Sequence, residues 1–251
     1  MRKITLFIYL FMFLTAFPLI AQDTAADSLL TPQRVEVTTA DNITLVGDFY
    51  AVPDAASAMP SVILLHGQGS DRHEWTPLIA PLLDGSFNVL NVDQRSFGES
   101  GGNREMLKMI DDIQVWIDWL QTQPTVRDNA ISTIGSSMGT VPALGGCAAD
   151  PDCMTAIAIS PGDFPTLDGT TFAKMSERSV LFVVGRKDNV LYDTKKLFAR
   201  TSGESAMMVY NTATHGRSFF TSRNSFYPRI TRLIINWLND HLPPALYGLT
   251  L

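Results

Sequence analysis

The first residue pattern with chemistry in it is a serine framed by glycines. From Ile131 to Gly139 the chain reads Ile-Ser-Thr-Ile-Gly-Ser-Ser-Met-Gly, a short apolar strand running into G-x-S-x-G at Gly135, Ser137 and Gly139. Such a turn sets its serine on a sharp strand-to-helix bend, and the glycines let the neighbouring strand and helix pass close by. The register selects Ser137, not Ser136, as the exposed hydroxyl. A serine hydroxyl is a weak nucleophile near neutral pH, so attack on a carbonyl needs a histidine base and a carboxylate that orients it. Asp188 and His215 follow downstream in that order. Asp163 is a second carboxylate with a claim to the imidazole. His66, at a strand end, and His73, in the loop beyond it, suit structural roles, and His241 closes a helix, where a positive side chain complements the dipole. Alone, the five-residue pattern equally fits a glycine-rich structural turn, so the elements around it decide.

Those elements alternate. Arg34 to Val52 reads as an antiparallel hairpin turning at Asp41-Asn42, with apolar and polar residues alternating on both arms. Ser61 to His66 is a continuous apolar run, the texture of a parallel strand covered on both faces. Further strands are expected at Phe87–Asp93, Ala130–Ile134, Thr155–Ser160, Val180–Val184 and Ala206–Tyr210. Helices are expected near Trp75–Leu83, Met106–Gln121, Met138–Ala149, Phe172–Met175, Asp193–Arg200 and Phe226–His241. A hairpin followed by strand–helix repeats implies a mostly parallel central sheet with helices on both faces. In such sheets ligands bind outside the carboxyl ends of the strands. Ser137, Asp188 and His215 each follow one.

Within 251 residues, 45% of them hydrophobic, there is room for one sizeable core. Arg2 and Lys3 precede an apolar run, Ile4 to Ile20, and then small residues, the layout of a secretory signal peptide. The expected division is a signal peptide over 1–21, a polar linker over 22–33 and one domain over 34–251, with an uncleaved anchor as the alternative for the first segment. Cleavage after Ala21 would leave 17 basic against 25 acidic residues, a formal charge of −8, which argues against nucleic acid as a partner. Export to a periplasmic or extracellular space, without stable membrane association after signal removal, is expected. Cys147 and Cys153 flank a turn-like stretch and suit either a short-loop disulfide in that space or two buried thiols. With no further cysteine and no clustered histidine, neither a metal nor a cofactor is expected.

Several motifs together resemble the α/β-hydrolase superfamily, in its capless serine-esterase branch near the dienelactone-hydrolase-like proteins. They are His66-Gly67-Gln68-Gly69, Asp93-Gln-Arg-Ser96-Phe97-Gly98-Glu-Ser100, the serine turn, Gly185-Arg-Lys-Asp188 and Thr214-His215-Gly216. Ser96 departs from the family's usual glycine, and Ser137 stands where the nearest dienelactone hydrolases carry cysteine. The resemblance implies an α/β-hydrolase fold without a large lid, since only Pro161 to Ser179 separate two strands where many relatives insert one. It implies Ser137, His215 and Asp188 as nucleophile, base and acid, and the N–H groups of Met138 and Gln68 as the oxyanion hole. Trp75, Phe97, Phe164, Tyr192, Phe219 and Phe220 are candidate pocket walls, although loop aromatics serve equally as packing. A small or accessible carboxylic ester is the expected substrate. Thioesterase, peptidase and haloperoxidase-like chemistry use the same triad, and a non-catalytic binding protein of the same fold is the rival from another class.

Overall fold

Two kinds of strand build the sheet, and the sequence separates them by texture. The computed structural model describes residues 31–163 and 165–242, which fall within one unit, Thr31–Leu251. The expected signal peptide and Phe164 lie outside the described residues. Strands β1 (Gln33–Thr38) and β2 (Thr44–Tyr50) form the antiparallel hairpin, with Val35 opposite Gly47. Its turn runs through Asn42 at φ 60°, a left-handed conformation that asparagine tolerates better than most residues. The remaining strands are parallel: β3 (Met59–Leu65), β4 (Asn88–Asp93), β5 (Val126–Ser136), β6 (Cys153–Ile159), β7 (Ser179–Gly185) and β8 (Ser205–Tyr210). The sheet order is β1-β2-β4-β3-β5-β6-β7-β8, with β2 antiparallel to β4.

Helices cover both faces because the central strands bury both. Every residue of β3 is buried. Val62 and Leu64 face α1 (Thr76–Asp84) and α6 (Tyr227–His241), among Leu78, Leu82, Ile230 and Ile234. Ile63 and Leu65 face the opposite layer, where α2 (Met106–Gln121), α3 (Thr140–Ala149) and α5 (Leu191–Arg200) contribute Trp116, Ile117, Leu144 and Leu197. This two-residue alternation is what a strand between two helical layers requires. Between β6 and β7 the described residues contain one short helix, α4 (Gly169–Met175), and no lid domain.

Boundaries differ from the sequence expectation at two places that matter for the site. Strand β5 continues to Ser136, and Ser137–Gly139 forms a single 3₁₀ turn before α3 begins at Thr140. Trp75 closes a 3₁₀ turn, Arg72–Trp75, and α1 starts one residue later. Cys147, near the end of α3, is bonded to Cys153, the first residue of β6. The chain passes from β3 outward to β4, then crosses back over β3 to β5. The carboxyl ends of β3 and β5 therefore flank the point where the winding reverses, the usual place for a ligand in an open α/β sheet.

Candidate active site

At that reversal the backbone is tight enough to dictate residue type. Ser137 has φ 50°, a left-handed conformation that costs a non-glycine residue energy and persists only where the surroundings enforce it. A Cβ on Gly135 would collide with the carbonyl of Gly139, and one on Gly139 would collide with the carbonyl of Leu65 in β3. Both glycines are thus steric requirements of a strand, turn and helix passing in contact.

From this turn a continuous hydrogen-bonded line crosses three loops. Ser137 Oγ lies 2.9 Å from His215 Nε2, and His215 Nδ1 lies 2.9 and 3.1 Å from Asp188 Oδ1 and Oδ2. A carboxylate can only accept, so Nδ1 carries the proton and Nε2 presents its lone pair to the serine hydroxyl. The Asp188 hydrogen bond raises the His215 pKa above its ordinary value, against a lowering by burial. For Asp188, burial alone would raise the pKa, but hydrogen bonds from His215, Ser160 and the Val190 N–H hold it below the usual carboxylate value. Ser160, at the end of β6, donates to Asp188 Oδ2 at 2.7 Å and accepts the Gly216 N–H at 3.0 Å.

The loop after β3 packs against the same turn. A Cβ on Gly67 would sit 3.5 Å from Ser137 Cβ. The Gly67 N–H is taken by Glu74 Oε2 at 3.0 Å, whereas the Gln68 N–H makes no hydrogen bond among the described residues. Met138 is buried in the 3₁₀ turn immediately after Ser137. His66 is pinned: Nδ1 donates to the Gly67 carbonyl at 2.8 Å and Nε2 accepts the Gln94 N–H at 3.1 Å. Burial lowers its pKa, so it stays neutral and braces the loop.

Asp163, the other candidate acid, points elsewhere. It pairs with Lys196 at 2.6 Å and with Arg200 at 3.7 Å. The pocket aromatics also need correction. Trp75 and Phe219 are 0% exposed and Phe220 is 1% exposed, all within the core under α1 and α6. Their short 3₁₀ turns fold the rings inward, where Trp75 meets Phe220 at 5.2 Å between centroids and Phe219 meets Tyr210 at 6.0 Å. Phe97 is half-buried, edge-on to His66. Tyr192 is 71% exposed, with the Lys196 ammonium 5.5 Å from its ring centre. A groove of about 740 Å³ is lined by His73, Glu74, Arg217, Ser218 and Tyr227, with an edge of Phe220 also on its wall, and Ser137, Asp188 and His215 are not among its lining residues. Sequence reasoning missed Glu74, Ser160 and Tyr227; Ser160 alone carried a signal, its place at a strand's carboxyl end. Among the described residues no three His, Cys, Asp or Glu side chains gather as a metal-binding group.

Known proteins are similar to this chain in sequence or in fold. A putative phosphoribosyl transferase of Mycobacterium tuberculosis is 28% identical over 231 residues, covering 88% of this chain but 49% of that protein. The chain therefore spans about half the length of the first curated relatives it matches. An esterase of Pyrococcus furiosus superposes with a TM-score of 0.73 at 22% identity, covering 88% of this chain and 96% of the esterase. A dienelactone hydrolase of Anabaena variabilis superposes with a TM-score of 0.67 at 15% identity, covering 85% of this chain and all of that one, 100%. The sequence profile of the Alpha/beta hydrolase family matches residues 62–249, and the chain belongs to that family.

Proposed function

We propose that the protein is an exported serine hydrolase that cleaves small or accessible carboxylic esters. The observation that carries the reading is the unbroken line from Ser137 Oγ through the His215 imidazole to Asp188, with each contact within hydrogen-bond distance. In this mechanism His215 Nε2 takes the hydroxyl proton as Ser137 Oγ bonds to the ester carbonyl carbon. Asp188 stabilises the imidazolium. The N–H groups of Met138 and Gln68 receive the negative charge on the carbonyl oxygen, and losing one such donor costs about 10²–10³ in turnover. Collapse of the tetrahedral intermediate breaks the ester C–O bond, and His215 returns the proton to the departing alcohol. Water, activated by the same imidazole, then releases the acid from Ser137. Among the described residues no lid domain lies between β6 and β7, which supports an accessible ester. The Cys147–Cys153 bond supports an oxidising compartment outside the cytosol.

The test is treatment with a fluorophosphonate followed by peptide mapping. Labelling at Ser137 that is lost in His215→Ala supports the reading, and a panel of ester, thioester and amide substrates then fixes the bond cleaved. Labelling at Ser136 or elsewhere would overturn the assignment, and folded protein that takes no label would favour a binding role.

A further inference from the structure

Ser160 is wholly buried at the carboxyl end of β6. Its single hydroxyl is used twice. The proton goes to Asp188 Oδ2 at 2.7 Å, on the loop after β7, and a lone pair accepts the N–H of Gly216 at 3.0 Å, on the loop after β8. Gly216 directly follows His215 and has φ 50°, and a Cβ there would press on Ser136 Oγ at 2.8 Å, so this loop has little freedom. Ser160 itself has φ 52°. A non-glycine residue in that conformation is strained, and asparagine, aspartate or glycine would relieve it. The serine's hydroxyl, not its backbone preference, is what this position uses.

The geometry points to Ser160 as a positioning residue that clamps the Asp188 carboxylate and the His215 loop to one another through its hydroxyl. The inference rests on the triad reading proposed above. An Asp188 carboxylate is free to turn about its own side-chain torsions unless both oxygens are held. Oδ1 is held by the Val190 N–H at 3.3 Å and Oδ2 by Ser160, and His215 Nδ1 approaches both. Removing the Ser160 hydroxyl leaves Oδ2 with only the His215 Nδ1 it shares with Oδ1, and leaves the Gly216 N–H without its partner. Both changes loosen the same contact, that between Asp188 and His215. Asp188 and Glu74 are the carboxylates acting on the imidazole, and only the first depends on Ser160.

Ser160→Gly separates this role from a structural one, because glycine deletes the hydroxyl while relaxing the strained backbone. A purely conformational serine would be replaced without loss. If the hydroxyl is the clamp, folded Ser160→Gly shows kcat lowered roughly 10- to 100-fold with KM little changed. The His215 imidazole, followed by NMR titration, then moves to a lower pKa as its contact with Asp188 weakens. An unchanged His215 titration in folded Ser160→Gly would overturn the proposal, whether or not the protein turns over esters. Failure of the triad reading shows separately, as an absence of fluorophosphonate label on wild-type Ser137. Should Ser160→Gly unfold, Ser160→Ala is titrated in its place, with the same expected and overturning results.

Discussion

A hydrogen bond that makes His215 a better base also sets activity against stability. Asp188 raises the His215 pKa above the ordinary 6.5, and Ser137 needs the neutral ring. Activity should therefore appear as pH rises through the raised value, so the acid limb of kcat/KM is expected above pH 6.5. The stability contribution runs the other way. A folded-state pKa raised above the unfolded one stabilises fully below the unfolded value and loses that effect as pH rises through the folded value. Asp188, with a lowered pKa, contributes above its ordinary value and loses that contribution only as pH falls through its own. Urea unfolding of wild type and His215→Gln at a series of pH values should show their difference shrinking while wild-type kcat/KM climbs. A difference independent of pH would mean that Asp188 and His215 are not coupled. That Ser137, Asp188 and His215 would lie together was legible in the sequence because each follows an apolar strand in a distinctive order. Trp75 and Phe219, left open between pocket wall and packing, are packing: a loop aromatic faces solvent or core according to what the folded chain packs above it, and no spacing records that. Ser160 was legible only as the end of a strand and Glu74 not at all, because the contacts they make are with partners 28 and 7 residues away along the chain.

The elements that carry the site are held by a second set of charges. Arg72, between β3 and α1, is buried and reaches Asp48 in β2 at 2.7 Å, Asp93 at the end of β4, and Glu99 beyond it. Its own N–H also binds Asp93 Oδ1 at 2.8 Å. One guanidinium thus ties the hairpin to the parallel sheet and to the turn that bears Glu74. Asp93 is 0% exposed, and removing one partner of a buried pair leaves an uncompensated charge, at a cost of about 3–5 kcal/mol. Arg72→Ala should lose stability on that scale in urea unfolding. Arg34→Ala should change little, since the pairs it makes with Glu36 and Glu99 are about half exposed. Equal effects would show that burial does not govern these pairs. Strand and helix identities were readable here because β3 and β7 are unbroken apolar runs and α2 repeats at helical spacing. The exact ends were not. The 3₁₀ turns at 72–75 and 137–139 arise where backbone must fit between neighbouring elements, a constraint absent from local propensity.

At the scale of the whole chain, the mostly parallel architecture followed from alternating strands and helices, but the order β1-β2-β4-β3-β5-β6-β7-β8 did not. Strand neighbours are chosen by side-chain fit between apolar surfaces that look alike in sequence. What that order achieves is the gathering of three distant loops: Ser137 after β5, Asp188 after β7 and His215 after β8 meet across β6, whose end supplies Ser160. Every group in this arrangement lies in the unit Thr31–Leu251. Among the described residues the two core clusters together run from Val35 to Leu242. A chain starting at Thr31 would therefore keep every described core contact and the first strand, Gln33–Thr38, in its antiparallel pairing with β2. It should unfold cooperatively, within a few degrees of the full chain. It should also react with a fluorophosphonate at the same rate, because the proposed mechanism places that reaction on Ser137, His215 and Asp188 and on the loops that hold them. Scanning calorimetry and timed labelling of the two chains check both expectations. A shortened chain that fails to fold would show that residues 1–30 contribute to folding. One that folds but labels slowly would show that the segment acts on the site itself.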